Sequence, residues 1–331
     1  MSAPRSKTDI TGENVMKLNF VSCAIALLTA GAGISAHAAG ILFVGNENNG
    51  TVSEYNGSTG QFIKNISTAS ENLTPSGLAL GPSGNLWVNN VSGTSASLSI
   101  SHGNETATAT PADPGSILLG AAVSNNTLYV TDANAGKIDS FNATTGLQTG
   151  SFAVRNASSS SLAGVAVNPA NGNLYVVDDT PNAIEEYSPS GSYLGNFVSN
   201  LRIGGGFLVF HNNDLYVDTT GQIEVFNASN GQMVNVIGSG LNPGQIDFDP
   251  NGDLFVTNIS RVDEFSSSGT LITSNFAVGG QFAGATGLAF YSPTSPAPEL
   301  PVPLMLSLGL LGPVMLRRIR GPRPQTASSR A

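Results

Sequence analysis

One phrase recurs six times along the chain, as Leu42-Phe43-Val44, Leu86-Trp87-Val88, Leu128-Tyr129-Val130, Leu174-Tyr175-Val176, Leu215-Tyr216-Val217 and Leu254-Phe255-Val256. Successive leucines lie 44, 42, 46, 41 and 39 residues apart. That is the period of a four-stranded β-propeller blade, and it is too short for a separate domain per repeat.

Each phrase sits inside a longer unit. Upstream comes a glycine followed by alternating apolar positions: Gly77-Leu78-Ala79-Leu80, Gly120-Ala121-Ala122-Val123, Gly164-Val165-Ala166-Val167, Gly206-Phe207-Leu208-Val209 and Gly244-Gln245-Ile246-Asp247. This segment reads as the innermost strand, where small residues fit the crowded axis. Turn formers such as Pro82-Ser83-Gly84-Asn85 and Pro250-Asn251-Gly252-Asp253 link it to the phrase as a hairpin. Downstream, Val52 to Tyr55, Ile138 to Phe141, Ile184 to Tyr187, Ile223 to Phe226 and Val262 to Phe265 read as a third strand whose apolar residues share one face. A polar turn and a fourth, outer strand such as Ser192 to Val198 follow. The second unit is the poorest copy, since Ser97 to Thr110 is a Ser/Thr/Ala run without the aromatic.

The ends of the array decide its closure. The first repeat begins at Ile41 with its second strand, and the chain finishes its repeats with an unpaired inner strand, Gly287-Leu288-Ala289-Phe290. If that strand completes the first blade, the ring closes and two open edges disappear. The fold expected is all-β: a six-bladed β-propeller over residues 39–291, four strands per blade, with the first blade closed by the C-terminal strand. A solenoid or a β-sandwich leaves the permuted ends unexplained.

The repeat resembles the NHL and SMP-30/gluconolactonase-like six-bladed propellers, whose units run Gly-apolar-Ala-apolar, Pro-x-Gly-Asn, Leu-Tyr-Val-x-Asp and Ile-x-x-Phe. The resemblance covers roughly residues 41–291. It implies the propeller and not one activity, because this fold hosts lactonases, lyases and binding platforms alike.

The termini point to export. Residues 1–38 read as an N-terminal extension followed by a signal peptide: Met16-Lys17-Leu18-Asn19-Phe20, an apolar stretch from Val21 to Ala32, and cleavage after Ala38 in Ala36-His37-Ala38. The true start is Met1 or Met16. Cys23, the only cysteine, lies in this segment, so the mature domain needs no disulfide. After a Pro/Ser-rich linker at 292–301, residues 302–320 hold an apolar span and an arginine cluster, and 321–331 form a polar tail. Pro298-Glu299 ahead of the span and Arg317, Arg318 and Arg320 behind it resemble the PEP-CTERM sorting signal of exported Gram-negative bacterial proteins. Leu300 departs from that pattern where a second proline is expected. The resemblance implies export machinery and an exosortase-like processing enzyme as partners, with transient anchoring in the inner membrane before release to the surface. The span from Val302 to Leu316 is 15 residues, short of the roughly 20 that cross a bilayer comfortably, which suits a processed signal better than a permanent anchor.

Charge narrows the partners. Eight of the 13 basic residues lie before residue 39 or after Leu316, against two of the 22 acids, so residues 39–316 keep five bases and 20 acids, a net charge of −15. Such a surface repels nucleic acid, which is not an expected partner.

The candidate ligand positions follow the phrase, at the end of the second strand: Asn46, Asn90, Asp132, Asp178, Thr219 and Asn258. One polar oxygen per blade at one rim suits Ca2+ or another divalent cation, with Asp132 and Asp178 as the charged ligands. Equally, Asp and Asn at strand ends hold turns through side-chain to backbone bonds. SMP-30-like enzymes hold a divalent ion near this mouth with Glu, Asn and Asp, but the counterpart here of their Glu-bearing strand, Gly287 to Phe290, carries no acid. Asp249-Pro250-Asn251-Gly252-Asp253 has alternating oxygens but lacks the distal Glu of a calcium loop, and reads as an Asx turn. His37 leaves with the signal peptide, while His102 and His211 fall away from the mouth. That disfavours a virginiamycin-lyase-like reaction. Trp87 reads as core rather than a sugar platform.

Taken together, the sequence reads as an exported binding or scaffold module of the cell surface or extracellular matrix, with a matrix polysaccharide or surface protein as partner. The alternatives are a divalent-metal-dependent SMP-30-like lactonase and a purely structural matrix protein. An acid-lined metal pocket on the axis favours the enzyme, and an apolar or plugged channel favours binding.

Overall fold

Leucine and valine of each repeated phrase point to one side of a strand and the aromatic to the other, so a blade made of this phrase is apolar on both faces. In the computed structural model both faces are covered. Leu42 and Val44 pack with Phe255 of the preceding repeat, while Phe43 packs with Leu86 and Val88 of the next. The same exchange continues as Trp87 with Leu128 and Val130, Tyr129 with Leu174 and Val176, Tyr175 with Leu215 and Val217, and Tyr216 with Leu254 and Val256. Six apolar cores result, one at each blade interface, and the ring closes on itself.

The structure describes residues 40–66, 74–82, 84–91, 94–99, 105–155, 162–280, 282 and 284–293. The signal-peptide segment and the sorting-signal residues Pro298, Glu299, Arg317, Arg318 and Arg320 lie outside them. Blade 1 holds β1 (Ile41–Asn46), β2 (Thr51–Asn56) and β3 (Phe62–Ile66). Blade 2 holds β4 (Pro75–Leu80), β5 (Asn85–Asn90), β6 (Thr94–Ser99) and β7 (Glu105–Ala109). Blade 3 holds β8 (Leu118–Ser124), β9 (Thr127–Asp132), β10 (Lys137–Asn142) and β11 (Gln148–Ala153). Blade 4 holds β12 (Leu162–Val167), β13 (Leu174–Asp178), β14 (Ala183–Tyr187) and β15 (Tyr193–Ser199). Blade 5 holds β16 (Ile203–His211), β17 (Asp214–Thr219), β18 (Gln222–Asn227) and β19 (Met233–Ile237). Blade 6 holds β20 (Pro243–Phe248), β21 (Leu254–Asn258), β22 (Arg261–Phe265) and β23 (Leu271–Thr273). The last strand, β24 (Ala285–Tyr291), pairs antiparallel with β1 in the order β24-β1-β2-β3, which is the closure expected from the permuted ends.

One expectation needs correction. The Ile-x-x-Phe pattern of the third strand does not put both residues on one face: Ile138 enters the core between blades 3 and 4, and Phe141 the core between blades 2 and 3. A spacing of three flips faces in a strand, and the pattern survives because both faces are buried.

The weak second unit is still a full blade, anchored by Trp87. Its side chain is 0% exposed, and its indole N–H donates to the Ala143 carbonyl of blade 3 at 3.0 Å. Trp87→Phe should lose that bond and leave a void, lowering stability by about 2 kcal/mol; chemical denaturation of the two proteins measures it.

A glycine ring lets the inner strands meet. A Cβ on Gly77, Gly120, Gly164 or Gly287 would come within 2.3 to 2.7 Å of the next blade's backbone, at Leu119 O, Ala163 O, Gly206 O and Ser76 O respectively. In the other two blades register places Phe207 and Gln245 where these glycines stand, since Leu208 and Ile246 pair with Val217 and Val256 as Leu78 pairs with Val88. The sequence alignment of Gly206 and Gly244 with this ring is therefore shifted by one residue.

Candidate functional site

The six strand-end residues lie where each second strand meets the start of its inner strand, so they share one face of the ring, here the rim face. Asn90 Oδ1 accepts from Thr74 N–H at 3.1 Å, Asp132 Oδ1 from Ile117 and Ala135 N–H at 3.1 Å each, and Asn258 Oδ1 from Asn242 N–H at 3.3 Å. Thr74, Ile117 and Asn242 each immediately precede an inner strand. These side chains thus hold the loop that feeds their own blade. Asp178 Oδ1 accepts from Thr180 N–H at 2.9 Å, and Asn46 Nδ2 donates to Ser53 Oγ at 2.9 Å.

Buried acids accompany two of them. Asp139, 0% exposed, has its carboxyl raised by burial and then by the nearby Asp132 and Asp113 charges. Burial also raises Asp178, and it raises Glu185 with a further push from Asp178. Tyr187 donates a short hydrogen bond to Glu185, which offsets part of that. Asp132 and Asp178 belong to different blades, and among the described residues no three His, Cys, Asp or Glu side chains group in a way that suits a metal ion.

On the axis a different arrangement appears. Gln245 reaches out of β20 to two other inner strands. Its Oε1 accepts from Leu78 N–H at 2.8 Å and from Leu288 N–H at 2.9 Å, and its Nε2 donates to Leu78 O at 2.7 Å. One side chain thus ties blades 6, 1 and 2 together across part of the axis. Two residues on, Asp247 Oδ2 accepts from Phe290 N–H and its Oδ1 from Phe248 N–H, both at 2.8 Å. Burial pushes the Asp247 carboxyl up to about 6, against the lowering pull of those two amides.

Beyond Gln245, toward the ends of the inner strands, lies a cavity of about 350 Å3, lined by side chains such as Leu80, Val123, Val167, Val209 and Leu288, with Asp247 in its wall. It opens on the face opposite the rim residues. That volume falls within the range of small-molecule pockets. His211 ends β16 on this face, stacked on Phe248 with ring centroids 3.8 Å apart, and burial lowers its pKa. The Asp249 turn lies here too: Asp249 Oδ1 accepts from Asn251 and Asp253 N–H at 2.9 Å each, as an Asx turn does.

Asp218 is buried at 0% exposure in blade 5, and burial raises its carboxyl well above the ordinary carboxylate range. It faces the amides of Gly206 and Phe207, yet neither of its oxygens completes a well-formed hydrogen bond. At the same position Thr131 donates to Ala163 O of the next blade at 2.6 Å, and Thr257 to Thr286 O at 3.3 Å.

Sequence reasoning passed over Gln245 and Asp247. Their signal is a broken pattern: where four of the other five blades place glycine and alanine, Gly244-Gln245-Ile246-Asp247 places an amide and an acid.

Comparison with known proteins gives the class and no more. No family model matches the chain, and no curated protein does. Solved structures do. A protein of unknown function from Bacteroides caccae superposes with a TM-score of 0.60 at 15% identity, covering 77% of this chain and 100% of that one. A chain of a nidogen/laminin complex gives 0.62 at 16% identity over 76% and 98%, and virginiamycin B lyase from Staphylococcus aureus gives 0.56 at 15% over 74% and 86%. The chain is a six-bladed β-propeller, similar in fold to a chain of a protein complex and to a lyase.

Proposed function

We propose that this propeller is an exported binding or scaffold module of the cell surface or extracellular matrix. The axis carries this reading. Gln245 spans part of it between β20, β24 and β4, its wall is mainly aliphatic with Asp247 as the one acid among the described residues, and the rim oxygens of Asn90, Asp132, Asp178 and Asn258 are engaged by loop amides. Export rests on the signal-peptide pattern ending at Ala38 and on the PEP-CTERM-like Pro298-Glu299, apolar span and Arg317, Arg318 and Arg320. The implied partners are export machinery, an exosortase-like enzyme, and a matrix polysaccharide or surface protein.

The test is expression of the full-length gene in a Gram-negative host that carries an exosortase, with mass spectrometry of the mature termini and retention on the host's purified exopolysaccharide. A mature N-terminus at Ala39, loss of residues beyond the Pro298-Glu299 motif, and retention at the surface are expected. An uncleaved cytoplasmic chain overturns the reading.

A metal-dependent lactonase remains the competing reading on one observation: Asp132 and Asp178 are both buried, and each keeps one carboxylate oxygen without a hydrogen bond. In it, Ca2+ or another divalent cation at Asn46, Asn90, Asp132, Asp178 and Asn258 would polarise a lactone carbonyl.

A further inference from the structure

We propose that the funnel on the face opposite the rim binds a small organic ammonium, its apolar body seated among the inner-strand side chains and its cationic head on Asp247. The inference rests on the binding-module reading and names the chemistry of its ligand. Register places Asp247 opposite Phe255, a layer in which the other blades present Ala79, Ala122, Ala166, Val209 and Ala289. A single carboxylate therefore interrupts an otherwise small, apolar ring. Its two oxygens offer about four acceptor sites, of which the amides of Phe248 and Phe290 use two, so acceptor capacity remains for a ligand.

Among the described residues no cation answers that charge. The propeller's basic side chains are placed elsewhere: Lys64 beside Glu54, Lys137 on Asp113, Arg261 on Asp263, Arg155 over the Tyr193 ring, and Arg202 in a separate surface depression. A carboxylate without a counter-cation in an apolar wall is costly even with two amide hydrogen bonds, and a ligand cation is held there more strongly than in water. An anionic or neutral apolar ligand gains nothing from Asp247, so the site selects for positive charge.

Protonation sets the working range. Among the described residues, no other titratable side chain lines the funnel from β4, β8, β12, β16 or β24. The next acid along the chain, Asp249, turns its oxygens to the Asn251 and Asp253 amides. With its carboxyl pushed up to about 6, Asp247 is ionised at pH 7.5 and mostly protonated at pH 5.

The experiment is a titration of the full-length protein with n-butylammonium, n-butanol and butyrate, followed by calorimetry and thermal shift at pH 7.5 and pH 5. Saturable butylammonium binding at pH 7.5 is expected, at least tenfold tighter than butanol or butyrate and about tenfold weaker at pH 5. Asp247→Ala installs the residue that four of the other five blades carry; it should melt cooperatively and bind the ammonium no better than the alcohol. Equal binding of butanol and butylammonium, no binding of any of the three, or undiminished ammonium binding by Asp247→Ala would each overturn the inference. Any of these with export and surface retention intact overturns this site alone and leaves the module reading standing.

Discussion

Gln245→Ala is expected to lower the melting temperature by roughly 10 °C. The amide makes three hydrogen bonds to backbone groups of blades 1 and 2, and their loss leaves inner-strand edges unpaired beside an apolar cavity. At about 1 to 1.5 kcal/mol per bond the loss is about 3 to 4.5 kcal/mol, and for a domain of this size each kcal/mol moves the midpoint by roughly 2 to 4 °C. The effect is large for its place as well as its bonds. Blade 1 takes its strands from both ends of the propeller, so no direct loop joins β24 to β1 or β4, and Gln245 bridges β24 and β4. Gln245→Leu keeps the bulk and restores no bond, and should lose nearly as much. Circular dichroism melts of the full chain measure this; a fall under about 2 °C would show that the closure does not depend on this side chain.

Asp218→Thr should act in the opposite direction, raising stability at pH 7 and above by about 1 to 3 kcal/mol, the cost of a buried polar group without its partners. The replacement is the residue found at the same position in blades 3 and 6, where its hydroxyl donates across the interface. The pH dependence fixes the sign. The folded carboxyl titrates well above the unfolded one, so from about pH 4 upward the native state holds a proton that the unfolded chain releases. Stability is therefore lost as pH rises through that window, and the variant escapes the loss. Asp247 adds a loss of the same sign between about pH 4 and 6, on the order of 3 kcal/mol, which both proteins share. Urea midpoints for the two should converge toward pH 4 and separate toward pH 8. Parallel profiles would contradict the assignment.

How legible the structure was depended on which forces wrote each feature. The blade number, the inner-strand glycines and the closing strand Gly287 to Phe290 follow from repeated packing demands, and repetition exposes them. The third strand's faces are not legible from Ile138 and Phe141 alone, because alternation within one strand suggests a single buried face, whereas each blade is sandwiched between two neighbours. The axis was missed for a related reason. Gln245 and Asp247 matter because they break the repeat, and a reading that gathers similar copies sets exceptions aside. That β20 starts its glycine one residue early is visible only in register. The strand-end residues were readable as polar and rim-facing, but whether an oxygen binds a loop amide or an ion depends on loop paths such as those of Thr74 and Ile117 that the phrase does not encode.

The most direct test of the binding-module reading against the metal-dependent one is a melt of the full-length protein with excess Ca2+ and then with chelator. A cation at about a hundred times its dissociation constant adds roughly 2.7 kcal/mol, which is roughly 5 to 10 °C here. The account predicts a shift of under about 1 °C and no lactone hydrolysis above background. A shift of the larger size, abolished by Asp132→Asn or Asp178→Asn and accompanied by lactone turnover, would contradict it.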